Sequence, residues 1–135
     1  MVKIKARYER GLSCHATHGP SGTELMTDAP VDNNGRGRSF SPTDLLATAL
    51  GTCMMTIMGI VAERDGIDID GSTGEVEKHM SASSPRRVAR LVVKLNMRGV
   101  KSNEMREKLV RAAGACPVHH SLHPDVVCDV TCAWT

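Results

Sequence analysis

Apolar and charged residues alternate over the first nine positions, with Val2, Ile4, Ala6 and Tyr8 set against Lys3, Lys5, Arg7 and Glu9. A period of two is typical of a strand with one covered face, so the pattern predicts a half-buried β-strand. Two further short strands are predicted at 12–16 and 23–28, with a Gly-Pro-Ser-Gly turn between them. A polar, glycine-rich loop follows at 32–38.

The clearest helix start in the chain is at Ser41. Ser41 is a candidate N-cap, Pro42 occupies the first helical position, and Asp44 stands where a capping box places its carboxylate. The helix is expected to run to about Arg64, with Gly66 just beyond its end.

This predicted helix contains a long uncharged segment at 45–62, which reaches the lower length limit for a membrane span. Its hydrophobicity is diluted by small residues, namely Thr48, Thr52, Thr56, Gly51 and Gly59. A buried core helix is therefore favoured over a membrane helix. The same small residues allow close approach of either a partner helix or a sheet.

The remainder of the chain alternates strand and helix patterns. A strand at 67–80 is broken near Gly71, and a strand at 86–98 places Leu91, Val93, Leu95 and Met97 on one face. The other predicted elements are a helix at 103–113, a short helix from Cys116 to Leu122, and a last strand at 126–134. This order predicts a single α+β domain over residues 1–135.

Composition narrows the class of protein. The chain is 41% hydrophobic and 24% charged with a net charge of +2, which is typical of a globular domain. It has no basic stripe and one each of Trp, Tyr and Phe, so nucleic-acid binding is not expected. The first residues lack the apolar core of a signal peptide, so a cytoplasmic location is expected.

The chain has five cysteines, an odd number that does not fit a disulfide framework in a reducing compartment. Cys53 lies within the apolar helix, where on local grounds a cysteine is usually packing. Cys116 precedes Pro117 at a helix start, where free N–H groups favour a thiolate and a lowered pKa. The alternative is that Cys116 only caps the turn.

Two motifs together resemble a known family. The segment 41–53, SPTDLLATALGTC, resembles the signature of the osmotically inducible protein C and organic hydroperoxide resistance (OsmC/Ohr) family, which ends in the peroxide-attacking cysteine. The step Ala115-Cys116-Pro117-Val118 resembles the family's second signature. The order of predicted elements is also similar over nearly the whole chain.

The resemblance implies an α+β fold with antiparallel sheets around a long central helix, in an intertwined homodimer. It implies that the Cys53 thiolate attacks a hydroperoxide and becomes a sulfenic acid. Cys116 then forms a disulfide with Cys53, and an external dithiol reduces it. No cofactor, metal, nucleic acid or membrane is implied.

One departure from the family affects the expected activation of Cys53. Family members use a Glu and an Arg for this purpose, and the Glu position is occupied here by the uncharged Thr43. Asp44 either replaces that Glu or only caps the helix. Arg36 and Arg38 are the nearest candidates for the Arg, and the alternative is that both are solvated loop residues.

Other residue groups suggest competing functions. Cys116 with His119, His120 and His123 offers ligand types that suit zinc but lacks an obvious fourth ligand, so a metal site is not favoured. Leu50, Met54 and Met58 either line an apolar pocket beside Cys53 or are simply core. The main rival function is a non-enzymatic dimeric module that binds a small apolar ligand.

The remaining cysteines have a plainer interpretation. Cys14, with His15 and His18 nearby, is interpreted as packing and surface. Cys128 and Cys132 alternate with apolar residues on the last predicted strand, so both are expected to fill the core.

Overall fold

A computed structural model describes residues 1–135 as two compact units, Met1–Leu46 and Ala47–Thr135. The elements are β1 (Ile4–Glu9), β2 (Ser13–His18), β3 (Glu24–Asp28), a 3-10 turn (Val31–Asn33), α1 (Pro42–Arg64), β4 (Thr73–Met80), β5 (Val88–Met97), α2 (Asn103–Gly114), α3 (Pro117–Ser121) and β6 (Val127–Trp134). The α+β class predicted from the sequence is confirmed, and the predicted helices agree with the observed ones to within a residue or two.

The N-terminal unit contains a three-stranded antiparallel sheet in the order β1-β2-β3. Tyr8 pairs with Cys14 across the first two strands. The predicted strands are present, but the prediction that β1 is half-buried is wrong for the single chain. Ile4 is 69% exposed and Tyr8 is 65% exposed, because no part of the chain covers their face of β1.

The C-terminal unit contains the second sheet, in the order β4-β5-β6. β4 and β5 form an antiparallel hairpin, whereas β5 and β6 run parallel. A parallel neighbour requires a crossover connection, and α2 with α3 provides it. The expectation of antiparallel sheets therefore holds except for this last pair.

The core of the C-terminal unit forms where β5 faces the helices. The predicted inward face of β5 is confirmed, because Leu91, Val93, Leu95 and Met97 are all at most 2% exposed. Fully buried residues of α1 belong to the same core, namely Leu50, Met54 and Met58. These three residues form the core rather than an open pocket, so of the two alternatives for them the core is correct.

Close packing of α1 on β4 depends on a glycine. A Cβ added at Gly51 would lie 2.6 Å from Cγ2 of Val76 on β4, which is far inside normal contact. The small residue at this position therefore admits the sheet rather than a second helix. Gly51 is buried two positions before Cys53 on the same helix. This contact therefore also sets the distance between the sheet and the part of α1 that carries Cys53.

The predicted strand at 67–80 is wrong in its first part. The segment before Thr73 is irregular, and the Ser72 N–H and hydroxyl both donate to the Ile69 carbonyl, at 3.1 and 2.6 Å. Gly71 adopts a positive φ of 78° within this turn. A chain folded back on itself in this way cannot pair with a neighbouring strand, so β4 begins only after the turn.

α1 is apolar but largely uncovered within one chain. Its best 18-residue window has a mean hydropathy of 2.0 and is 33% buried. By length and composition alone α1 could cross a membrane, but core helices of soluble proteins pass the same test. The uncovered side includes Thr52 and Thr56, whose hydroxyls donate back to the carbonyls of Thr48 and Thr52 at 2.7 and 2.8 Å.

Candidate active site

The start of α1 is fixed by the predicted capping box. The Ser41 N–H donates to the Asp44 carboxylate at 2.8 Å, and the Asp44 N–H donates to the Ser41 hydroxyl at 3.1 Å. Ser41 is itself buried. The structure therefore supports the capping alternative for Asp44, whose carboxylate satisfies a backbone donor at the helix start.

The structure brings the two signature cysteines together. Cys53 lies on α1 and is partly exposed, whereas Cys116 is fully buried at the N-cap of α3. Both are free thiols, and they lie near enough for Cys53 to affect the acidity of Cys116. This proximity links α1 to the start of α3.

The acidity of Cys116 differs from the sequence-based expectation. Burial raises the pKa of its thiol, and the interaction with the neighbouring Cys53 raises it further. Backbone N–H groups of His119 and Val118 act in the opposite direction but do not outweigh burial. The prediction of a lowered pKa for Cys116 is therefore wrong, because burial of the thiol outweighs its position at the helix start.

The two candidate arginines are held very differently within the N-terminal unit. Arg38 donates through Nε to the buried Asp28 carboxylate at 2.8 Å and through Nη2 to the Ser13 hydroxyl at 2.9 Å. Ser13 in turn donates to Asp28 at 3.0 Å. Arg36 is exposed and makes no hydrogen bond or ion pair. Arg38 thus has a fixed guanidinium, and Arg36 does not.

The carboxylate that holds Arg38 has an unusual acidity. The hydrogen bonds from the Arg38 side chain and backbone hold the pKa of Asp28 far below its ordinary value. The same ion pair raises the pKa of Arg38. Sequence reasoning missed Asp28 and Ser13 because each lies on an ordinary strand, with no local motif to mark a partner many positions away.

The other predicted groups do not assemble into a site. No group of three or more His, Cys, Asp or Glu side chains is placed to hold a metal ion. Cys128 and Cys132 pack against the core, as expected for filler. A cleft of about 480 Å³ opens beside the C-terminal end of α1, and its lining residues do not include either signature cysteine.

Comparison with known proteins identifies the family of this chain. The family model for OsmC-like proteins matches residues 35–131, and the chain belongs to that family. No curated protein matches the chain.

Several solved structures have the same fold. A protein from Psychrobacter arcticus 273-4, provisionally assigned to the osmotic stress induced and detoxification response, is 43% identical, with a TM-score of 0.93 over 98% of this chain and 96% of that one. An organic hydroperoxide resistance protein OsmC from Legionella pneumophila is 20% identical, with a TM-score of 0.74 and coverage of 98% and 96%. The organic hydroperoxide resistance protein OhrB of Bacillus subtilis is 21% identical, with a TM-score of 0.65 and coverage of 100% and 98%.

Proposed function

We propose that this protein is a thiol-dependent peroxidase that reduces organic hydroperoxides, and hydrogen peroxide as well, through Cys53 and Cys116. The observation that carries the proposal is that a partly exposed thiol on α1 neighbours a fully buried thiol at the start of α3 and affects its acidity. Family membership and the hydroperoxide-resistance names of related folds support the same reaction class.

The first chemical step is the attack of Cys53 on the hydroperoxide. A Cys53 thiolate forms an S–O bond to the distal peroxide oxygen while the O–O bond breaks. The sulfur is oxidised to a sulfenic acid, and the peroxide is reduced to an alkoxide that takes up a proton and leaves as an alcohol. Cys53 suits this step because its side chain is accessible, whereas the Cys116 sulfur is enclosed.

The second step is resolution by Cys116. Its sulfur attacks the Cys53 sulfenic sulfur, an S–S bond forms, and the S–O bond breaks with release of water. An external dithiol then reduces the disulfide and returns both thiols. The proposed setting is the cytoplasm, where the five cysteines stay reduced between turnovers.

We assign the positive charge that favours a Cys53 thiolate to Arg38 rather than Arg36. Asp28 and Ser13 already fix the Arg38 guanidinium, so its use costs little ordering of the side chain. An unattached arginine would lose up to about 2 kcal/mol of rotamer entropy on becoming fixed. Arg38→Met should slow sulfenic acid formation, and Arg36→Met is the matched control that should not.

We further propose that the protein is a homodimer. Large apolar side chains on β1 and a long apolar α1 are left uncovered by the single chain. A soluble monomer rarely leaves large apolar patches uncovered, whereas a second copy of the chain can cover them. Light scattering at micromolar concentration should give twice the mass of 14.5 kDa, and a monomer would contradict this assignment.

A series of cysteine variants tests the peroxidase mechanism. Each protein receives one equivalent of organic hydroperoxide and is followed by intact mass. The wild type should lose two hydrogens, Cys53→Ser should not react, and Cys116→Ser should gain one oxygen that a dione reagent traps. Added oxygen in Cys53→Ser would reverse the two roles. No change in the mass of any protein would favour the rival ligand-binding module.

A further inference from the structure

His119 contacts both Cys116 and Gly114, the residue that ends α2. Its backbone N–H donates to the Cys116 sulfur at 3.3 Å, and its ring Nδ1 lies 3.2 Å from the carbonyl oxygen of Gly114. A carbonyl oxygen only accepts hydrogen bonds, so the ring contact requires a proton on Nδ1. The imidazole therefore ties α3 back to the last residue of α2, across the residue that carries the thiol.

We propose that His119 is a positioning residue for disulfide formation, and that its ring holds the Cys116 sulfur against Cys53. The inference rests on the proposed function, since it gives His119 a role in the second step. His119 does not touch the reacting sulfurs with its side chain, and its effect is transmitted through the position of the Cys116 turn.

The local structure explains why α3 needs this hydrogen bond. α3 has only five residues, and Pro117 at its start has no N–H to donate. A helix this short has little stability of its own. Disulfide formation requires the two sulfurs to come within about 2 Å of each other. A hydrogen bond from the His119 ring to Gly114 keeps the Cys116 thiol facing Cys53. It therefore raises the fraction of encounters in which the disulfide forms.

The ring is tested by variants that keep or remove the Nδ1 donor. His119→Leu removes the donor, whereas His119→Asn places an amide N–H near the position of Nδ1. Ser121→Ala is the matched control, because it removes a hydrogen bond within α3, to the Pro117 carbonyl at 2.8 Å, without affecting the tie to α2. All variants are measured as full chains.

Two measurements are made on each variant. The first is the equilibrium of the Cys53–Cys116 disulfide in a glutathione redox buffer, which needs no peroxide. The second is the rate of sulfenic acid formation and of disulfide formation after one equivalent of organic hydroperoxide. If the wild type forms the disulfide in the glutathione buffer but does not react with peroxide, the proposed peroxidase function is refuted. The positioning role of His119 is then decided by the disulfide equilibria of the variants in that buffer.

We expect His119→Leu to shift the disulfide equilibrium and slow disulfide formation by about fivefold, the effect of losing one net hydrogen bond. Sulfenic acid formation should be unchanged, because the first step does not use Cys116. His119→Asn should restore both values, and Ser121→Ala should match the wild type. The proposal is overturned if His119→Asn is as impaired as His119→Leu, or if Ser121→Ala shows the same loss.

Discussion

The close contact between α1 and β4 gives a stability prediction whose sign is unusual. Ala normally stabilises a helix interior relative to Gly by about 1 kcal/mol. At Gly51 the new methyl would meet Cγ2 of Val76 at 2.6 Å, and overpacking of this kind costs about 1–3 kcal/mol. Gly51→Ala should therefore lower the free energy of unfolding by up to about 2 kcal/mol, although it improves helix propensity.

A double-mutant cycle separates the two effects. When Val76→Ala removes the opposing methyl group, Gly51→Ala should become stabilising by up to about 1 kcal/mol. Gly59→Ala is the control for propensity in the interior of α1, since the nearest atom to its added Cβ is Cδ1 of Ile69 at an ordinary 3.9 Å. Urea unfolding is followed by circular dichroism at one fixed protein concentration, because assembly would contribute to stability. If Gly51→Ala has the same effect in the wild type and in the Val76→Ala background, the packing argument is refuted.

Two further predictions concern pH. The lowered pKa of Asp28 means that its contribution to stability is present above the ordinary Asp value of 3.8 and is lost as the pH falls below it. The difference in unfolding free energy between wild type and Asp28→Asn should therefore shrink in acid, as measured by urea unfolding from pH 7 downward. Burial raises the pKa of the Cys116, Cys128 and Cys132 thiols above 9.0, so stability should fall as the pH rises past that value. Cys116→Ser should reduce that alkaline slope without abolishing it, and an unchanged slope would contradict the role of Cys116.

Local signals predicted the elements that obey local rules. The capping box at Ser41 and Asp44 is a pattern of adjacent residues, so the start of α1 could be placed from the sequence. The alternation in β5 likewise reports a face that is buried by a neighbouring layer of the same chain. The same period in β1 reports a face that the chain does not cover, and periodicity alone cannot say which molecule provides the cover.

Features that depend on distant residues were predicted poorly. The Ser13, Asp28 and Arg38 network joins two strands and a loop, and none of its members stands out along the sequence. The predicted direction of the Cys116 pKa shift is wrong, because the helix position of Cys116 is local while its burial depends on tertiary packing. The cysteine pair itself was found only because two family signatures occur together.

The burial of the two thiols also orders the proposed reaction. A thiol that reacts first must meet a peroxide from solvent, and Cys53 is the accessible member of the pair. A thiol that reacts second should stay protonated and shielded until the sulfenic acid has formed, so that it neither attacks peroxide nor is over-oxidised. Full burial gives Cys116 both properties, and its raised pKa is then a suitable feature of a resolving thiol rather than a defect. The N–H of His119 can stabilise negative charge on that sulfur when the second step begins.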